Sequence, residues 1–200
     1  MRGKNLIGIT GTIGSGKSSV AAYWAAVASL PLISLDRICR RLLEPNAPGW
    51  LAMREQYGDR FFSAGGDLDR AGLRTALSRD PGLRFQVDSL LHPLALDRMR
   101  NQVDSLREGM VLLEIPLLFE AGWQEEVDRI VVVHADRATC RSRITSRDDV
   151  DAGAAEDMIR IQMDPWKKAM LADHVIDNRG SWSDACLQVR HLDRIVRLLS

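Results

Sequence analysis

Gly11, Gly14 and Gly16 stand just ahead of Lys17 and Ser18 in Gly11-Thr12-Ile13-Gly14-Ser15-Gly16-Lys17-Ser18, an octapeptide that satisfies G-x-x-x-x-G-K-[ST]. That spacing suits the binding of a nucleotide's phosphates. Glycines let the backbone wrap with its amides turned inward, a helix beginning here adds about half a positive charge, and Lys17 can reach the β- and γ-phosphates. Ser18 is then placed to ligate magnesium, and Ser19 closes the binding stretch 11–19. The alternative is a plain glycine-rich turn beside a surface lysine. Against it stands the setting: the apolar run Leu6-Ile7-Gly8-Ile9-Thr10 precedes the loop and an alanine-rich segment of helical length follows, the strand and helix that a phosphate loop requires.

A phosphate loop leaves open whether the nucleotide is hydrolysed, transferred or sensed. No Asn-Lys pair occurs in the chain, so the usual guanine-reading Asn-Lys-x-Asp motif is absent and a GTP switch is disfavoured. Phosphoryl transfer needs charge stabilisation with water excluded, which small-molecule kinases obtain from an acceptor-binding insertion after the second strand and an arginine-bearing lid after the fourth. The chain offers both. Asp36 ends a short second strand, where open parallel sheets present ligand-binding groups, although it can also cap the helix that follows. Glu114 ends the run Met110-Val111-Leu112-Leu113-Glu114, where such folds often carry an acid near the magnesium ion; satisfaction by Lys17 or solvent is the competing account. Arg143 and Arg147 are four apart and so share a helical face, which allows both guanidinium groups to turn toward the nucleotide or toward solvent.

The elements that position these residues follow from hydrophobic periodicity. Short strands are predicted at residues 30–35, 110–115, 129–134 and 174–177 besides the first, and those at 110 and 129 are continuous apolar runs, as strands covered on both faces should be. Between 36 and 108 the pattern is mostly helical, interrupted by Pro45, Pro48, Gly49 and Gly65-Gly66-Asp67; residues 137–172 are polar and helical, and a last helix is predicted from about 182 to 199. Alternating strands and helices imply a parallel α/β sheet with right-handed crossovers. The single tryptophans Trp50, Trp123, Trp166 and Trp182 read as packing residues.

Several blocks in order, Ile7 to Val20, Leu32-Ile33-Ser34-Leu35-Asp36, Leu90-Leu91-His92-Pro93-Leu94, Ile115-Pro116-Leu117-Leu118-Phe119-Glu120, Arg143 to Asp148, Gln162, and Ala172 to Gly180, resemble the dephospho-CoA kinase family over nearly the whole chain. The loop alone would not separate that family from nucleoside monophosphate kinases; the later blocks together do. The resemblance implies a three-layer P-loop kinase with a five-stranded parallel sheet, a helical acceptor-binding insertion at about 36–108 and a lid at about 137–168. It implies ATP-dependent phosphorylation of the ribose 3′-hydroxyl of dephospho-CoA, with ATP and magnesium as cofactors. By the same resemblance Asp36 orients, and in part deprotonates, the acceptor hydroxyl; Lys17 and Arg143 stabilise charge on the transferred group; Arg147 assists at the nucleotide. Asn178 and Gly180 meet the adenine ring or form a plain turn. His92 contacts the acceptor or belongs to a helix-breaking His-Pro pair, and Glu120 helps form the acceptor site or makes a buried salt bridge. Two departures stand out: Ser34 where the family usually has an acid, and Thr12 where it more often has glycine.

Composition bounds the rest. With 200 residues, 46% hydrophobic and 27% charged, the chain is long enough to bury a core without disulfides or metal. Lys+Arg and Asp+Glu balance at 27 each, unlike the basic excess of nucleic-acid binders, so no nucleic-acid partner is expected. Cys39, Cys140 and Cys186 are odd in number and outside any metal-binding spacing, as in a reduced cytoplasmic protein. No signal peptide or membrane span is expected, since the uncharged stretch from Ser18 to Leu35 contains Pro31 and falls short of about 20 strongly apolar residues. The expected state is a monomer or a weak homo-oligomer. The rivals are a nucleoside or nucleoside-monophosphate kinase and a nucleotide sensor without turnover.

Overall fold

In the computed structural model, which describes residues 3–199, five strands form one parallel sheet in the order β2-β3-β1-β4-β5. They are β1 (Asn5–Thr10), β2 (Leu32–Ser34), β3 (Met110–Glu114), β4 (Arg129–His134) and β5 (His174–Asp177). β1 lies between β3 and β4, so both its edges are paired, and its residues 6–10 are buried on both faces, which is why its apolar run is unbroken. The chain winds to one side of β1 through β2 and β3, then crosses to the other for β4 and β5. This reversal is a topological switch point, where open α/β sheets bind ligands beyond the strands' carboxyl ends. The register there sets Ile9 beside Glu114 and Ser34 beside Glu114.

One face of the sheet is covered by α1 (Lys17–Ala28) and α9 (Trp182–Leu198). Ile7, Ile9, Leu112, Val131, Val133 and Ile176 meet Val20, Ala21 and Trp24 of α1 and Ala185, Val189, Leu192 and Val196 of α9. Trp24 is fully buried, and its indole N–H, which could not be left bare in such a core, donates to Asp193 at 2.9 Å. Leu187 of α9 does not join this core and is largely exposed.

Residues 137–168 form α6 (Arg137–Asp148), α7 (Ala152–Arg160) and most of α8 (Pro165–Met170). Each of the three begins on an aspartate whose carboxylate accepts backbone amides, Asp136, Asp151 and Asp164. α6 and α7 pack through Cys140, Ile144, Ala155 and Ile159, and Ile13 of the glycine-rich loop joins them.

Residues Leu35–Ser105 form a compact unit of their own, distinct from the sheet-bearing unit. It contains α2 (Leu35–Leu42), α3 (Pro48–Tyr57), α4 (Arg70–Arg79) and α5 (Pro81–Ser105) around Met53, Phe61, Leu73, Leu83 and Val87. Proline opens α3 and α5, where its missing N–H goes unneeded. Two sequence expectations change here. α5 runs straight through Pro93, which cannot donate to the Ser89 carbonyl but ends nothing, so His92-Pro93 is not a helix-breaking pair. Asp36 is not a cap either: α2 starts at Leu35, and Asp36 lies exposed in its first turn.

Candidate active site

The loop from Gly11 to Gly16 connects the carboxyl end of β1 to α1. Gly16 adopts φ 88°, and a Cβ there would come within 2.3 Å of the Asn178 side-chain amide, so both conformation and space demand glycine. At Gly14, with φ 80°, a Cβ would meet the Cys140 carbonyl of α6 at 2.6 Å. α1 has no side-chain cap and no acid in its first turn, which leaves the partial positive charge of its start uncompensated. Lys17 is the first residue of that helix.

Side chains distant in sequence hold the loop from outside. The Arg143 guanidinium approaches the carbonyls of Gly14 and Ser15 at 3.5 and 3.4 Å and donates to the Asn178 carbonyl at 2.8 Å. Buried Asn178 donates through its side chain to the Ser15 carbonyl at 2.7 Å. Gln162 accepts from the Ile13 amide at 2.9 Å. The Ser15 carbonyl, held by both Arg143 and Asn178, leaves the Gly16 N–H on the opposite edge of its peptide, as an anion needs, while the Ser15 N–H donates to the Thr12 carbonyl at 3.0 Å.

Ser18 donates a short hydrogen bond to the Glu114 carboxylate, which is buried at the end of β3. A hydroxyl and a carboxylate so joined are hard oxygen donors of the kind magnesium prefers. Glu114 is therefore engaged by Ser18. Beside the loop a cavity of about 250 Å³ is lined by Gly16, Ser19, Arg143, Asn178, Gly180 and Trp182. Trp182 is about half exposed and stands edge-on to Tyr23, with ring centroids 5.7 Å apart. From the sequence it reads as a packing residue; it packs at one edge on Tyr23 but also lines the cavity.

The other expected residues are placed as follows. Arg147 shares its helix with Arg143 but turns outward to Asp148, at 2.7 and 2.8 Å, and does not line the cavity. Thr12 and Ser15 are buried within the loop. Glu120 makes an ion pair buried at one end only: fully buried Lys168 lies 2.9 Å from its carboxylate, which is itself partly exposed and also accepts the Met163 amide at 2.9 Å. Burial lowers the pKa of Lys168 and Glu120 raises it again. The chain has only four lysines, a scarcity that could have drawn attention to Lys168. In the helical unit, half-buried His92 sits 3.7 Å from Asp88 one turn earlier on α5. Burial raises the pKa of Asp88 and His92 opposes the shift. Asp36, Asp88 and above all burial push the Cys39 thiol up to about 11.

The dephospho-CoA kinase family model matches residues 5–184. A dephospho-CoA kinase of Sodalis glossinidius is 36% identical over 175 residues, covering 88% of this chain and 84% of that protein. The chain belongs to the dephospho-CoA kinase family. It is accordingly an ATP-dependent kinase. A crystal structure from Thermus thermophilus superimposes with a TM-score of 0.85 at 28% identity over the full length of both chains. A dephospho-CoA kinase structure from Campylobacter jejuni, at 23% identity, shares the fold with a TM-score of 0.67 and covers 96% of this chain and 97% of its own. In this dephospho-CoA kinase family member, as expected from its strand and loop pattern, the sheet is five-stranded and parallel. Among the described residues no helix is long and apolar enough to cross a membrane.

Proposed function

We propose that the chain transfers the γ-phosphoryl group of ATP to the ribose 3′-hydroxyl of dephospho-CoA, with its own residues in the following roles. The loop 11–19 holds the triphosphate, Lys17 offsets charge on the transferred group, and the cavity beside Gly16 takes the adenine end between Arg143, Asn178, Gly180 and Trp182. The single observation that carries this is the loop itself, strung between β1 and α1 with its Gly14 and Ser15 carbonyls tied back by Arg143 and Asn178. Such fixed dipoles need no reorganisation as charge builds. Arg143 acts both as a brace for the loop and as a positive charge near the nucleotide.

Ser18 and Glu114 would hold a magnesium ion, Ser18 directly and Glu114 through the hydroxyl it accepts or through the ion's water. Bound there, the ion would neutralise phosphate charge. Asp36 orients the acceptor hydroxyl and takes up its proton, while His92 and the rest of the helical unit, Leu35–Ser105, recognise the acceptor. Residues 137–168 serve as the lid. The enzyme works in the cytoplasm as a monomer or weak homo-oligomer, without nucleic acid or membrane partner, a reading supported by three free cysteines and balanced charge.

A coupled assay of ADP release comparing dephospho-CoA, AMP, CMP and adenosine tests the substrate. Preference for dephospho-CoA is expected; preference for a monophosphate would overturn the reading, and nucleotide binding without acceptor-dependent turnover would mark a sensor. Ser34 gives a second check. Its neighbour in register is Glu114, so Ser34→Asp puts two carboxylates side by side, a repulsion that a divalent cation relieves. The magnesium concentration for half-maximal rate should fall by about threefold or more, for a gain on the order of 1 kcal/mol. An unchanged magnesium titration would show that a carboxylate at this position does not serve the ion.

A further inference from the structure

The chain from Gln162 to Lys168, between α7 and the middle of α8, is fastened at three points within its own unit. Gln162 accepts the Ile13 amide at 2.9 Å. The Met163 amide donates to Glu120 at 2.9 Å. Lys168, with no exposed side-chain surface, donates to the same Glu120 oxygen at 2.9 Å and to the Pro116 carbonyl at 3.2 Å. That carbonyl also accepts the hydroxyl of Thr10, the last residue of β1 before the loop, at 3.2 Å.

Burying the Lys168 cation costs desolvation that pairing with a partly exposed carboxylate does not turn into net stability, so the pair is better explained by what it positions. What it positions is Gln162. Glu120 takes both Met163, the next residue along the chain, and Lys168, which fixes where the Gln162 side chain starts. Gln162 then spans to the amide of Ile13, the third residue of the loop. With the triphosphate running along the loop toward α1, Ile13 lies on the side of the terminal phosphate, three residues before Gly16.

We infer that Gln162 is a positioning residue for phosphoryl transfer, anchored by the Lys168–Glu120 pair and acting through the Ile13 amide on the front of the phosphate loop. The inference rests on the phosphate-loop reading above. It assigns Gln162 to the chemical step more than to nucleotide affinity, because the amides at the start of α1 and Lys17 do not depend on its contact.

The test compares Gln162→Met, which keeps the length of the side chain and removes the acceptor, with Gln162→Glu, which keeps an acceptor oxygen. For Gln162→Met, kcat should fall by about tenfold, as expected for one lost hydrogen bond, with Kd for Mg·ADP changed by less than about threefold. Hydrogen exchange at the Ile13 amide should accelerate by a similar factor while α1 and α9 keep their protection. Gln162→Glu should restore protection at Ile13. Glu120→Gln, which leaves Lys168 buried without its counter-charge, should reproduce the Ile13 effect and a smaller loss of kcat.

A Gln162→Met enzyme with wild-type kcat overturns the inference. So does one whose kcat, ADP affinity and overall protection decline together, since that is the mark of a merely structural role. Lys17→Ala is run in parallel. Loss of turnover there with none in Gln162→Met defeats this inference alone; full turnover in Lys17→Ala removes the phosphate-loop reading on which it stands.

Discussion

Replacing Lys17 by alanine should lower kcat by about 10²–10³, equivalent to losing one preorganised donor worth roughly 3–4 kcal/mol. Lys17 begins α1 directly after Gly16, whose left-handed backbone conformation favours glycine, so its direction is set by the main chain. Water cannot take its place at equal strength, because a mobile donor must reorient as charge moves onto the transferred group. The fold should not suffer: Lys17 is half-buried and alanine is the better helix former. The prediction is checked by single-turnover rates at saturating Mg·ATP together with thermal unfolding. A variant with near-wild-type turnover would refute the role given to Lys17.

Asp36→Asn should cost about 10²–10⁴ in kcat, the range ascribed to a positioned acid or base. Asparagine keeps the size and hydrogen-bonding capacity of the side chain but accepts a proton poorly. The stability cost should be small, about 0.3–1 kcal/mol for removing a negative charge from the first turn of a helix. Those two magnitudes separate the alternatives. If Asp36 served only α2, the melting temperature would drop slightly and turnover would not change. If it serves the acceptor hydroxyl, turnover collapses in a protein that melts almost as before.

The sequence and the fold agree where the signal is local. A continuous apolar run ended by an acid placed Glu114 at a strand's carboxyl end, and the octapeptide with its flanking strand and helix located the loop to the residue. Ile38 and Leu42, four apart, form the buried face of α2 by the same local logic. The sequence and the fold part where partners lie far apart. A four-residue spacing set Arg143 and Arg147 on one face, but the packing of α7 on α6 through Ile144, Ala155 and Ile159 decides which of them reaches the loop. No periodicity could have told that Lys168 is buried while adjacent Lys167 is exposed, because the partner that tolerates the burial, Glu120, sits 48 residues away in a different connection. Pro93 misled for a related reason: in a helix of 25 residues, packing on both sides of the proline holds what the missing amide would have secured.

The braces on the nucleotide loop are separated from it by 128 residues or more: Arg143 reaches Gly14 and Ser15, Gln162 reaches Ile13, and Asn178 reaches Ser15 across 163. During synthesis the glycines leave the ribosome at least 128 residues before the side chains that support them. A nascent chain that stops short of Asn178 thus displays the whole binding motif without the frame that shapes it, and ATP cannot act as a folding template until Asn178 has emerged.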